Sequence, residues 1–293
     1  MNRVWSWWMS RCEQVEDARP LALLRIGLPL CVIADLLRLA QLGLLDTVFV
    51  PYGSGGLSRI QDPHLVIIEW FGASAGGIAV LVTLVCMALV SLGLWMRPAI
   101  IVGVLAYAQL GHLYPPGDRA IDRIVRTALL ILLFSAADQR FSLRRMRSLS
   151  IPAWPSDLLR FFLVVVYLSA GIAKLIQQPG WLSMEAFPPL MRILIDPMAS
   201  DLNPVSWSMD TPLFRIGGFI TIAIELSAPL LLTRYGKYWA IAGSLMHLGI
   251  ALTMSLGMFA WGMLAFYPIL LAPFILRFLP DDEDPTVDQP TTS

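Results

Sequence analysis

Long apolar runs, broken by short polar or turn-forming stretches, set the pattern of this chain. The runs are Leu21–Leu44, Ala75–Met96, Pro98–Tyr114, Ile121–Ala137, Leu158–Ile176, Leu213–Thr233, Tyr238–Leu256 and Phe259–Leu279. Each holds roughly 17–25 residues, the length that lets a helix rising about 1.5 Å per residue cross the hydrocarbon of a bilayer. The pattern predicts an all-α, polytopic transmembrane bundle of about eight spans. The turns around Arg97 and Gly257 are too short for anything but helical hairpins, and Pro115-Pro116-Gly117 marks another tight turn. Asp46–Pro63, with Tyr52-Gly53-Ser54-Gly55-Gly56, reads as a loop, and His64–Trp70 as an interfacial lead-in. Ahead of the first span, Trp5, Trp8, Cys12 and Val15 recur at three- and four-residue intervals opposite Arg3, Arg11, Glu13 and Asp17. That stripe predicts an N-terminal amphipathic helix lying in the headgroup layer. Residues 1–280 are expected to form one transmembrane domain and the acidic, proline-containing 281–293 a disordered tail.

Composition agrees with the pattern. Hydrophobic residues make up 57% of the 293 and charged residues 14%, with mean hydropathy +0.68, whereas soluble domains carry about a quarter charged residues. Formal net charge is zero, which gives no reason to expect a nucleic-acid partner. Cys12, Cys31 and Cys86 are scattered, with no CxxC spacing, so neither a disulfide framework nor a metal site is expected. No cleavable signal peptide is seen. Alternate connections collect Arg3, Arg11 and Arg19, then Arg97, then Arg140, Arg144, Arg145 and Arg147, then Arg234 and Lys237, then Arg277; the other set holds Arg59, Arg119 and Arg192. By the positive-inside rule both termini are cytoplasmic, as expected in a bacterial inner membrane. Lys174 and the segment Gln177–Asp210 then face outward, the latter as a cap over the outer leaflet.

Charged groups at membrane depth mark candidate chemistry, because each costs a few kcal/mol or more unless it faces the bundle interior. Arg160, Tyr167 and Lys174 are seven residues apart and share one helix face, with small Ala170 and Gly171 beside them. Two readings stand for Lys174: its ammonium snorkels to the headgroups, or it lies inside a cavity. Burial there disfavours the ammonium and produces an amine base or nucleophile. Asp35 with Arg38, and Asp122 with Arg126, sit at spacings suited to local pairs. Arg25 reads as an interface anchor and His112 as an interface residue. Glu225, followed by kink-forming Pro229, and His247 lie near the middle of successive spans. They either hydrogen-bond each other or line a polar pocket or proton relay.

Several of these stretches resemble the HTTM (horizontally transferred transmembrane) domain, the membrane part of vitamin K-dependent gamma-carboxylases. They are Leu21-Ala22-Leu23-Leu24-Arg25-Ile26-Gly27, Tyr52 and the glycines after it, Phe134-Ser135-Ala136-Ala137, and the run from Tyr167 through Ala170-Gly171 to Lys174-Leu175. Trp181, Glu225-Leu226-Ser227-Ala228-Pro229, His247, Leu256-Gly257-Met258-Phe259 and Met263-Leu264-Ala265 continue the likeness. The resemblance implies that Lys174 is a base acting on a reduced, vitamin K-like quinone, with Glu225 and His247, joined by Tyr167, as pocket residues. It also aligns Gln139 with a family histidine of the carboxylation half-reaction. An amide cannot serve as that base, and no large soluble region follows the last span, so protein carboxylation is not the expectation. The expected activity is a quinol-oxidising or carboxylase-like enzyme with an outward-opening pocket. Expected partners are membrane lipids, a quinone-like small molecule and a separate soluble or membrane protein. A lipid-binding scaffold without catalysis and a small transporter are the rival functions.

Overall fold

A computed structural model describes residues 13–58, 70–143, 148–177, 181, 212–254 and 256–279, together with Ser6 and Ser10. Strand β1 (Val15–Asp17) pairs antiparallel with β2 (Ser150–Pro152), Glu16 opposite Ile151. The long helices are α1 (Ala18–Gln41), α2 (Ala75–Leu92), α3 (Met96–Leu113), α4 (Ala120–Leu133), α5 (Trp154–Ile176), α6 (Pro212–Leu226) and α7 (Gly236–Thr253). Three short ones close the bundle: α8 (Phe259–Leu264), α9 (Tyr267–Leu270) and α10 (Ala272–Ile275).

Among the described residues, three helical stretches are long and apolar enough to cross a membrane: Ala18–Gln41, Gly72–Leu92 and Trp154–Ile176. Ile216–Leu226 and Phe259–Leu270 are shorter apolar helical stretches. Leu81, Leu105 and Leu245 are each more than 60% exposed, an outer surface suited to lipid rather than water. Val15 and Asp17 belong to a strand rather than to the expected amphipathic helix; most of that stretch, and the tail 281–293, lie outside the described residues. The side chain of Asp17 accepts from the Arg19 backbone N–H at 2.8 Å and caps α1.

Helix α1 is the central element, packing on α2, α4, α8 and α9. The hairpin expected around Arg97 is present. Gly93, at φ +69°, ends α2, and α3 begins three residues later. The expected span Phe259–Leu279 is instead three short helices. Pro268 and Pro273 supply no N–H and occupy the first turns of α9 and α10, so each restarts the helix. This broken stretch packs into the centre, where Met263, Phe266, Tyr267 and Ile269 are buried. At Pro229 the helix also changes: α6 ends at Leu226 and a 3-10 turn follows at Ala228–Leu232.

The charges find partners other than those local spacing suggested. Arg25 is fully buried and is no interface anchor. Its Nε donates to the Ala137 carbonyl (3.1 Å), Nη1 to Val90 and Ser91 (both 2.7 Å), and Nη2 to Arg140 (3.2 Å) and Phe141 (2.6 Å). All five guanidinium N–H groups are thereby used, binding α1 to the C-terminus of α2 and to the turn after α4. The open carbonyls at the end of α2 carry the negative end of its dipole and offset the charge. Asp35 pairs with Arg119 at the start of α4, not with Arg38. Asp122 binds Arg119 at 3.0 Å and Tyr107 at 2.5 Å, while Arg126 pairs with Asp118 at 2.7 Å. A side chain bends toward whichever opposite charge the packing brings near, and here that charge lies on another element.

Replacing Arg25 with methionine takes the guanidinium donors from five carbonyls, of which that of Val90 keeps the Gly93 N–H at 3.0 Å. A loss of about 3–5 kcal/mol is expected, read as a lowered melting temperature in detergent, with Arg25→Lys intermediate because its ammonium has three donors. An unchanged melting temperature for Arg25→Met would contradict the clamp.

Candidate functional site

Helix α5 presents Tyr167 and Lys174 on one face, two turns apart, with Gly171 between them. Gly171 lets α6 come close: a Cβ there would lie 3.0 Å from Leu226 Cδ2 and 3.1 Å from Glu225 Cβ. Glu225, in the last turn of α6, is thus delivered to Lys174. The lysine Nζ donates to Glu225 Oε1 at 2.6 Å, with the two side chains 17% and 8% exposed. The Trp181 ring lies 4.9 Å from Nζ, near enough for a cation–π contact. The amine therefore has a carboxylate and an aromatic face around it rather than apolar walls alone.

Helix α7 contributes His247, which is buried and meets the Tyr167 hydroxyl at 2.7 Å through Nε2. Tyr167 also contacts the Tyr267 hydroxyl at 3.3 Å. Trp239 stands edge-on to the Tyr167 ring at 4.8 Å, and Phe259 lies 5.8 Å from the His247 ring. Trp239 also donates from Nε1 to the Ile224 carbonyl at 2.8 Å, tying α7 to the turn of α6 that carries Glu225. At Gly243 a Cβ would fall 2.4 Å from the Tyr267 hydroxyl, so only glycine admits that tyrosine.

Four of the sequence-derived residues thus come together as two contacting pairs, Lys174 with Glu225 and Tyr167 with His247. The direct Glu225–His247 hydrogen bond is replaced by these pairings. Glu225 Oε2 and His247 Nδ1 are buried and have no hydrogen-bond partner. Such groups are costly unless something satisfies them. The arrangement offers a carboxylate oxygen that accepts, an imidazole nitrogen whose role depends on its tautomer, and an amine able to exchange a proton with its neighbour. It suits a small molecule with its own polar hydrogens.

Gln139 does not join this group. It closes a 3-10 turn, Ala137–Gln139, beside the Arg25 clamp. It lines a cavity of about 280 Å³ with Trp95, Met96, Arg97, Pro98, Ala136 and Asp138. That places it in the half of the bundle nearer the β1–β2 pair, whereas Lys174 is in the last turn of α5, at the far end of that helix. The loop sits after α4, which runs toward that half. Arg160 likewise stays near the β pair, bound to Asp157 at 2.7 Å and to the Ile269 carbonyl at 3.0 Å. Of the cap Gln177–Asp210, only Gln177 and Trp181 fall among the described residues.

Sequence reasoning missed Trp239 and Tyr267. The first was detectable, since Trp239, Gly243 and His247 are four apart and share one face of α7. Tyr267 was not, because it reaches the site only through the break before Pro268.

Gly171→Val is expected to push α6 from α5, weaken the Lys174–Glu225 contact and cost about 1–3 kcal/mol in thermal denaturation. Gly217→Val on the facing helix α6, where a Cβ has nothing within 4 Å, is the control and should stay near wild type.

Comparisons with known proteins extend the geometry. A family model, that of the HTTM domain, matches residues 14–273. No curated protein and no solved structure matches the chain. The match covers the β pair, the central helix α1, both members of the Lys174–Glu225 pair and the closing helices α8 and α9, and the chain is a membrane protein belonging to the HTTM-domain family.

Proposed function

We propose that this protein is a membrane-embedded enzyme in which Lys174 is the general base toward a lipid-soluble hydroxyl compound, a quinol or a molecule like it. The observation that carries the reading is the partly buried Lys174–Glu225 contact at 2.6 Å, with two unpartnered atoms nearby, Glu225 Oε2 and His247 Nδ1.

In a dry site an amine and a carboxylate this close hold one proton between them, and its position responds to any third polar group nearby. With the proton on Glu225, Nζ keeps its lone pair and accepts the proton of a substrate hydroxyl. Glu225 thus holds the pair's own proton while Nζ takes the substrate's, and that second proton leaves to the outer aqueous side before the next turnover. Tyr167, itself in contact with the Tyr267 hydroxyl, holds the His247 ring through Nε2, which leaves Nδ1 for a ligand. A reduced quinone, when bound, supplies an acidic hydroxyl and an electron-rich ring. The two unpartnered atoms fit such a group, and aromatic Trp181, Trp239 and Phe259 suit a flat ring. Glutamate carboxylation is no part of the reading, since Gln139 is an amide and sits apart from Lys174. On the arginine distribution, the site faces outward in a bacterial inner membrane with both termini cytoplasmic.

Bound lipids and quinones, identified by mass spectrometry on the purified full chain, test the reading. Quinone-class molecules should copurify with the wild type and be depleted in Lys174→Ala. Lys174→Arg keeps a charge partner for Glu225, but guanidinium stays protonated, so quinol turnover should fall by about 10²–10⁴-fold with the fold intact. An unaltered lipid profile and full turnover in both variants would remove Lys174 from the chemistry. Glu225→Gln should likewise slow turnover while leaving Tyr167–His247 in place.

A further inference from the structure

A second polar cluster lies apart from the Lys174 site, where the far half of α1 meets the end of α3 and the start of α4. It borders a cavity of about 190 Å³ whose wall includes Leu36, Leu39, Phe49 and Leu110 on the apolar side and Asp118, Arg119 and Arg126 on the polar side. We propose that this cavity is a binding site for an anionic amphiphile, its head on Arg126 and its chain against the Leu36–Leu39 wall.

Accounting for the hydrogen bonds leads to the head group. Both oxygens of Asp35 are taken by Arg119. Asp122 is taken by Tyr107 and by the Arg119 side chain and backbone N–H. Asp118 accepts from Arg123 Nε at 2.9 Å and from Arg126 Nη2 at 2.7 Å. Burial pushes the Asp118 carboxyl up, but the hydrogen bonds from Arg123 and Arg126 outweigh it and hold it below the usual carboxylate range. No carboxylate here lacks a donor. One donor lacks an acceptor: Arg126 Nη1 is buried with no partner. It lies over Gly111, where a Cβ would come within 3.2 Å of it and 2.7 Å of Asp118 Oδ1, so glycine keeps this corner open.

Charge points the same way. Arg123 and Arg126 share the single carboxylate of Asp118, which leaves one positive charge at that end. Arg119 is bracketed by Asp35 and Asp122, which leaves one negative charge at the other. A ligand entering with an anionic head is therefore oriented toward Arg126 and repelled from Asp35. A carboxylate or phosphate oxygen satisfies a guanidinium N–H well, and the apolar wall adds affinity only for a ligand carrying a chain. The shared chemistry is an acidic oxygen on an acyl-bearing molecule, which a phospholipid or a fatty acid can supply.

Native mass spectrometry of the full chain in mild detergent tests this, with titration by phosphatidylglycerol, oleate, phosphatidylcholine and chainless glycerol 3-phosphate. One molecule of phosphatidylglycerol or oleate should bind in preference to phosphatidylcholine, and the tighter of the two identifies the source of the anion. Glycerol 3-phosphate should not compete. Arg126→Gln should weaken the anionic ligand about tenfold, the scale of one lost charge-assisted bond. Leu39→Trp fills the apolar wall with every charge intact and should weaken it comparably, so the proposal stays testable if Arg126→Gln fails to fold. Equal binding of phosphatidylcholine, effective competition by glycerol 3-phosphate, or unchanged affinity in either folded variant overturns it.

Discussion

A charge carried into the interior of a membrane bundle must be answered by other groups of the same chain, because hydrocarbon offers it nothing. Three answers shape this molecule. Arg25 spends all five N–H groups on main-chain carbonyls, and so welds α1 to the end of α2 and to the turn after α4. Arg119 is bracketed by Asp35 and Asp122, which ties the far half of α1 to the start of α4. Lys174 has one carboxylate, and that carboxylate keeps an oxygen to spare. The first two answers are complete and read as architecture. The third is incomplete, and the incompleteness is what a ligand can use.

Interruptions of the backbone matter as much as the helices. A continuous last helix would keep Tyr267 on a regular face; the restarts at Pro268 and Pro273 fold that segment into the centre instead. There Tyr267 reaches Tyr167, and Gly243 leaves room for its hydroxyl. The change of helix type around Pro229 follows directly after Glu225, and the indole of Trp239 takes up the carbonyl of Ile224 in that turn. Irregular backbone inside a membrane bundle is tolerated where protein groups re-satisfy it.

The two clusters differ in what they leave unmet. Around Lys174 both an acceptor, Glu225 Oε2, and an imidazole nitrogen wait for a partner. Around Arg119 the carboxylates are saturated and only a guanidinium N–H remains. A group that brings hydrogens suits the first, and a group that brings negative oxygen suits the second. Gly257 lies close to both: a Cβ on it would lie 2.8 Å from Arg119 Nη1, and two residues on, Phe259 packs on His247.

Apolar run lengths alone determined a helical membrane bundle, and seven-residue spacing determined that Tyr167 and Lys174 share a face. Both follow from helix geometry, which is local. Depth-wise oddity also marked Glu225 and His247, since a polar residue within an apolar run stands out without any neighbours being known. Partner choice was not legible. Asp35–Arg38 and Asp122–Arg126 had the right spacing and were displaced by Arg119 and Asp118, because ion pairing depends on distance in space and the stronger geometry came from another element. Gln139 had a place in an alignment but, in the fold, the far end of the bundle from Lys174. Whether Arg25 anchors to headgroups or to carbonyls, and whether Lys174 stands alone or beside Glu225, was settled only by how the helices pack.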